Sequence, residues 1–175
     1  MKLYQLFPAG FALPLLIVLA IASATLAIAQ NARVLAVLGI VGGFLAPVLT
    51  STGGGSHVLL FSYYALLNVG ILYTARHRSW RELNLLGFFF TFGIGALWGA
   101  GNYRPEMFAT TEPFLILFFL FYLALGLLFA RNQPLNLKGY IDGTLVFGTP
   151  IVAFALQAAL VRPYAYGLEI GRAHV

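Results

Sequence analysis

The chain has 175 residues, of which 61% are hydrophobic and 9% are charged, and its mean hydropathy is +0.89. An ordinary soluble domain has about a quarter charged residues, so this composition predicts an integral membrane protein. The absence of cysteine excludes disulfides, thiolate metal sites and cysteine nucleophiles. The net charge of +5 is scattered between apolar segments, a pattern that does not favour nucleic-acid binding.

Apolar runs between short polar breaks predict an all-α, polytopic transmembrane helix bundle in contact with the lipid bilayer, because each helical span needs about 20 apolar residues. The second run is the shortest and contains Pro47, so we expect neighbouring helices to cover the carbonyl that this proline leaves without a partner. The six predicted spans are Gly10–Ala29, Val34–Leu49, Val58–Ala75, Leu83–Ala100, Pro113–Ala130 and Tyr140–Val161.

Basic residues near the span ends predict the orientation. Successive loops lie on alternate sides of the membrane, so the basic residues fall into two sets. One side has Arg33, Arg76, Arg78, Arg81, Arg131 and Lys138, and the opposite side has Lys2, Arg104 and Arg162. The positive-inside rule places the first set in the cytoplasm and the first residue outside, which indicates an interior piece of a longer protein. The alternative is a signal peptide cleaved after Ala29, but this would move the arginine-rich loop outside.

The last seven residues, Glu169–Val175, match a translated frame of a common short-read sequencing adapter. We therefore interpret residues 169–175 as adapter read-through and residues 1–168 as the helical bundle fragment. The alternative is a native polar tail, which the nucleotide record would distinguish.

Three patterns describe how the helices are expected to pack. Two G-x-x-x-G motifs predict close helix packing, because small residues one turn apart let backbones approach. The shared pattern R-x-L-x-x-L-G-x-x-x-x-F suggests a helix-hairpin repeat whose second helices both enter from the cytoplasm; the alternative is a chance similarity, because Leu, Gly and Phe are abundant in this chain. Two tryptophans are expected in the opposite head-group layers. The glycine motifs are Gly39 with Gly43 and Gly95 with Gly99, the repeat begins at Arg33 and at Arg81, and the two tryptophans are Trp80 and Trp98.

Polar residues on the predicted outer side form a candidate site for acid–base work or for an anionic sugar or lipid head group. Its members are His57, Tyr103, Arg104, Glu106 and Glu112. Four of them also have a structural interpretation: His57 as a loop residue, Arg104 and Glu106 as a surface ion pair, and Glu112 at the positive end of a helix. In that interpretation Thr110 or Thr111 caps the helix, and Pro113 occupies its first turn.

Asp142 is the acidic residue close to the cytoplasmic end of the sixth predicted span. If the Asp142 carboxylate lies within the membrane, it indicates a functional role. If it is hydrated at the interface, we expect it to pair with Lys138 or to cap the helix. No cofactor or metal is indicated by the sequence, and any small-molecule or glycan ligand is unknown.

Four strings resemble the bacterial predicted membrane proteins grouped as domain of unknown function 2339. They are GGFLAPVLTSTGGGSH (Gly42–His57), LNLLGFFFTFGIGALWG (Leu83–Gly99), YRPEMFATTEPF (Tyr103–Phe114) and GYIDGTLVFGTPIVAFALQAALV (Gly139–Val161). The resemblance implies an interior slice of a longer, many-span protein of the bacterial cytoplasmic membrane, whose remaining helices are partners of this chain. It implies no activity and transfers no catalytic role.

The sequence favours a structural or transport-type bundle module of a larger envelope protein, without enzymatic activity. The alternative is a membrane-embedded transferase or hydrolase that acts on lipid-linked or cell-surface glycan through the outward carboxylates. A third possibility is that the fragment has no function apart from its missing helices.

Overall fold

The computed structural model describes residues 9–50, 56–77, 80–132 and 143–172. These ranges contain six α-helices, a 3₁₀ turn at Pro105–Met107 before the fifth helix and a π turn at Thr144–Gly148 before the sixth. The helices are α1 (Ala9–Ala29), α2 (Arg33–Thr50), α3 (His57–His77), α4 (Arg81–Asn102), α5 (Phe108–Asn132) and α6 (Thr149–Arg172).

Helices dominate because the bilayer offers no water to an exposed backbone, so each span must satisfy its own N–H and C=O groups. Four helical stretches among the described residues are long and apolar enough to cross a bilayer, and α1 and α2 contribute shorter apolar stretches, Val18–Ala29 and Arg33–Leu49. The prediction of an all-α, polytopic helical bundle is confirmed. The four long stretches are His57–His77, Arg81–Asn102, Pro105–Leu128 and Thr144–Arg162.

The chain divides into two compact units, residues 1–87 and residues 88–175, and α4 begins in unit 1 and continues in unit 2. In unit 1, α1 packs on α2 and α3, and α2 packs on α3. The turn between α1 and α2 has Asn31 in the left-handed region, with φ of 52°. The Ala32 N–H bonds the Ala27 carbonyl and the Asn31 N–H bonds the Ile28 carbonyl, which together form a Schellman cap.

The glycine motif of α2 packs closely, as predicted. A Cβ at Gly39 would lie 3.5 Å from the Ser23 Cβ of α1, and a Cβ at Gly43 would lie 3.4 Å from both Leu67 methyl carbons of α3. The two glycines therefore let α2 approach two different neighbours.

The motif of α4 gives the opposite result. A Cβ at Gly95 or Gly99 would meet nothing within 4 Å in the described structure, and Leu97 between them is 76% exposed. The prediction that this motif packs helices is wrong for the chain as described, because no neighbouring helix covers these glycines.

Pro47 lies inside α2, where its missing N–H leaves the Gly43 carbonyl, one turn earlier, without its helical donor. The Tyr63 hydroxyl of α3 donates to that carbonyl at 2.9 Å. The adjacent Tyr64 donates to the Phe44 carbonyl at 3.1 Å, and its ring stacks on the Phe44 ring. The prediction that a neighbouring helix covers the freed carbonyl is confirmed.

The first turns of α2 and α4 meet in unit 1. An Arg33 Nη1 lies 3.2 Å from a Glu82 Oε1 in an exposed ion pair. Trp80 is 7% exposed and belongs to a buried cluster with Ala27, Ala36 and Leu83. Its ring therefore packs inward between helix ends, and its place at the level of the head groups stays a prediction.

In unit 2, α4 and α5 are joined by an aromatic cluster. The Tyr122 ring of α5 lies edge-on to Phe88 at 5.5 Å and tilted to Phe92 at 5.6 Å. Its hydroxyl lies 3.4 Å from the Thr91 hydroxyl in a buried hydrogen bond between helices. Side-chain hydrogen bonds of this kind fix the rotation of one helix against the other.

The sixth span begins with a π turn, in which the N–H of residue i+5 pairs with the carbonyl of residue i. The Leu145 carbonyl would thus need an N–H from residue 150, which is proline and has none. The buried Thr149 hydroxyl donates to this carbonyl at 2.7 Å. The helix therefore accommodates Pro150 through a π turn, and the Leu145 carbonyl that this leaves free is satisfied within the same helix.

Candidate functional site

Glu112 is the acidic side chain that lies deepest in a candidate span among the described residues. It stands seven residues after Pro105, where that span begins, so it lies about 10 Å along the helix axis. Its side chain is half-buried. Carboxylates at such positions are rare and usually functional, because burying the charge in the bilayer is costly.

The position of Glu112 corrects the capping interpretation. Helix α5 begins at Phe108, and the 3₁₀ turn before it opens with Pro105 directly after the extended residue Arg104. This early start follows from Pro105, whose fixed φ suits the first helical position. Pro113 therefore lies inside α5, and Thr110 donates to the Met107 carbonyl at 2.9 Å instead of capping an N–H group.

Gln157 of α6 is the partner of Glu112. Its Nε2 donates to Glu112 Oε1 at 2.7 Å, and both side chains are half-buried. Gln157 lies five residues before Arg162, the end of its candidate span, at a depth of about 8 Å. The two residues thus face each other at similar depth on neighbouring helices, and their hydrogen bond joins α5 to α6.

Two further features surround this pair. The Tyr103 hydroxyl, just beyond α4, donates to the Leu160 carbonyl of α6 at 2.9 Å. The Thr111 hydroxyl, next to Glu112 in sequence, is buried and has no hydrogen-bond partner in the described structure. A buried hydroxyl without a partner loses about 1–3 kcal/mol relative to a satisfied one.

The other predicted site residues are distributed over both units. His57 begins α3 in unit 1, where its ring lies edge-on to Phe61 at 6.4 Å. Arg104 and Glu106 are exposed in unit 2 and form no ion pair with each other, so that interpretation is wrong. The five-residue site that joins His57 to the unit 2 residues stays a prediction. Asp142 and Lys138 lie outside the described residues.

Unit 1 contains an apolar pocket with a volume of about 70 Å³. Gly39, Gly70, Phe44 and Leu83 contribute to its wall, and Thr74 is one of its few polar residues. The Thr74 hydroxyl donates to the Gly70 carbonyl within its own helix, so it is already satisfied. This pocket offers little chemistry compared with the carboxylate of unit 2.

Residues 1–172 match the model of the family described as Predicted membrane protein (DUF2339). The chain belongs to this family. No curated protein and no solved structure matches it. The resemblance seen in the sequence is therefore confirmed. The match ends at Arg172, within the segment interpreted as adapter read-through, and the origin of that segment stays a prediction.

In this DUF2339 chain the described residues contain no group of three histidine, aspartate or glutamate side chains that could hold a metal ion. The Glu112 carboxylate lies against α6 in the described part of the chain. Its recorded partner is the neutral amide of Gln157. This arrangement can accept or donate hydrogen bonds and can change charge by one proton.

Proposed function

We propose that this DUF2339 chain is a transport-type helix-bundle module of a larger protein in the bacterial cytoplasmic membrane. The observation that carries the proposal is the Glu112–Gln157 hydrogen bond between two helices, well inside a candidate span. Acidic groups at membrane depth mark ion and proton pathways more often than simple packing contacts. Packing alone would be served by apolar or small residues at both positions.

The proposed orientation has the starts of α2 and α4 in the cytoplasm. The ion pair between Arg33 and Glu82 supports the part of this proposal that puts both helix starts on one side of the membrane. The excess of basic residues in the same loops favours the cytoplasm as that side. In this orientation all six helices cross the membrane, and Glu112 and Gln157 lie in its outer half.

A second candidate function is a membrane-embedded transferase or hydrolase that acts on lipid-linked or cell-surface glycan. It is favoured by Arg104 and Glu106, which are exposed between α4 and α5 where a water-soluble substrate group has access. Such an enzyme would use Glu106 in acid–base catalysis, whereas a transport-type module would use Glu112.

Two isosteric substitutions in the full-length protein that contains this chain distinguish these functions. Under the transport-type proposal, Glu112→Gln should reproduce the phenotype of gene deletion, and Glu106→Gln should behave as wild type. Membrane abundance of each variant, measured by immunoblotting, is the control for folding. The reverse result would favour the glycan enzyme, and two neutral variants would leave only a structural role for the module.

A further inference from the structure

We infer that Glu112 and Gln157 form a proton-binding site in which the hydrogen bond between α5 and α6 is kept in both protonation states. This inference deepens the proposed function and rests on the same pair of residues. It names the proton as the species that the carboxylate takes up and releases.

The chemistry of the glutamine side chain carries the inference. A carboxylate only accepts hydrogen bonds, and Gln157 Nε2 donates to it at 2.7 Å. When a proton from solvent bonds to the carboxylate, the resulting O–H group becomes a donor. A half-turn of the amide then presents the glutamine Oε1 as the acceptor. Proton uptake therefore changes the charge of Glu112 from negative to neutral without separating the two helices.

A basic partner would behave differently. Lysine and arginine carry a positive charge and have donors but no acceptor, so they stabilise the ionised carboxylate and offer no acceptor to the O–H group of the protonated one. The amide is neutral and has both a donor and an acceptor, so it can pair with either state without favouring the charged one. Gln157 therefore permits a titration that Lys or Arg at the same position would oppose.

The surroundings of the pair also favour a proton over a metal ion. Metal cations such as Ca²⁺ and Mg²⁺ need several oxygen ligands, and the described residues contain no group of three acidic or histidine side chains. At the ends of the adjoining elements that lie beside the pair, the charged or titratable residues with described side chains are Tyr103 just after α4, Arg104 and Glu106 at the 3₁₀ turn, and Arg162 on α6. The polar partner that the structure gives Glu112 is the neutral amide of Gln157.

A lipid-soluble carbodiimide tests this site, because it modifies protonated carboxyl groups in apolar surroundings and leaves exposed, ionised ones unmodified. The chain in lipid nanodiscs would be treated at several pH values and analysed by peptide mass spectrometry. We expect modification at Glu112 that is strongest at the lowest pH and is lost as the pH rises, because only the protonated carboxyl group reacts. Exposed Glu106 is the internal control and should stay unmodified. No modification of Glu112 at any pH would overturn the inference.

The partner residue is tested with Gln157→Lys and the matched Gln157→Glu, which retains both donor and acceptor when protonated. We expect Gln157→Lys to lower the modification of Glu112 by about tenfold or more at a given pH, and Gln157→Glu to preserve it. Equal modification in both variants would contradict the role of the amide. The infrared carbonyl band of a protonated carboxylic acid, present in wild type and lost in Glu112→Gln, gives a second measurement that needs no change at Gln157.

These results are separable from the proposed function. If Glu112→Gln abolishes function in the full-length protein but Glu112 is never protonated, the proton-binding site is refuted and the proposed function stands. If Glu112 titrates but the full-length protein tolerates Glu112→Gln, the proton-binding site stands and the proposed function is refuted.

Discussion

Replacing Tyr63 with phenylalanine removes the hydroxyl that satisfies the Gly43 carbonyl, 2.9 Å away. Pro47 has no N–H to take its place, so the carbonyl is left without a donor. Hydrogen bonds between membrane helices contribute about 0.6 kcal/mol on average, whereas a buried polar group left unsatisfied costs about 1–3 kcal/mol. We expect Tyr63→Phe to lower the free energy of unfolding by about 1–2 kcal/mol.

The assay is reversible unfolding of the chain in mixed micelles, with increasing fractions of a denaturing detergent. Tyr73→Phe is the matched control, because Tyr73 lies in the same helix and is 52% exposed. Its substitution should change the unfolding free energy by less than about 0.5 kcal/mol, as is usual at surface positions.

A double-mutant cycle with Pro47→Ala gives the decisive result. Alanine restores an N–H at position 47, so the Gly43 carbonyl regains its helical partner and no longer depends on Tyr63. In this background Tyr63→Phe should cost less than about 0.5 kcal/mol, which gives a coupling of about 1 kcal/mol. An equal cost of Tyr63→Phe in both backgrounds would refute the reasoning.

Three other substitutions are predicted from local geometry and measured in the same assay. Gly43→Leu should cost about 1–3 kcal/mol because its Cβ already touches Leu67, while Gly95→Leu should be nearly neutral; equal effects would contradict the packing described. Asn31→Val should cost about 1–2 kcal/mol because a β-branched residue resists a φ of 52°, and Asn31→Gly should not; a harmless valine would argue against the Schellman cap. Thr149→Val should lower the free energy of unfolding by about 1 kcal/mol, and Thr149→Ser, which keeps the hydroxyl, should hardly change it. A neutral valine variant would show that the Thr149 hydroxyl is not needed to satisfy the Leu145 carbonyl.

The fold could be predicted from the sequence because a membrane-spanning helix requires a long, continuous run of apolar residues. The first four predicted spans lie within two residues of the ends of α1 to α4. The role of a partner at Pro47 was also predictable, since a carbonyl without a donor cannot remain unsatisfied in lipid. The side chain that would supply this donor was not predictable, because none of the three tyrosines of α3 is distinguished by sequence spacing alone.

The start of α5 was mispredicted because Pro113 and Pro105 are both suited to a first helical turn. Choosing Pro113 placed Glu112 at a helix end and explained its charge by the helix dipole. The structure begins the helical segment at Pro105, which moves Glu112 into the span. The start of the helical segment therefore decides how Glu112 is interpreted: at a helix end it has a structural role, and inside the span it is the centre of the candidate site.

The partnership of Glu112 with Gln157 was missed, although the sequence contained a signal for it. Counted from Pro105 and from Arg162, the two residues lie at similar depth on helices that run in opposite directions. Equal depth makes a contact possible, but the rotation of each helix about its axis decides whether it forms. Packing within the bundle sets that rotation. The rotation of α4 likewise decides whether its glycines face a neighbouring helix, which the sequence does not show.

Thiol labelling of Gln30→Cys and Ser56→Cys tests the multi-pass membrane topology most directly. Both positions are exposed, they lie before and after α2, and the chain has no native cysteine. With a membrane-impermeant reagent, Ser56→Cys should react in intact cells, and Gln30→Cys should react only after the membrane is opened. Reaction of both in intact cells would show that α2 does not cross the membrane, and the reversed pattern would show that the proposed orientation is wrong.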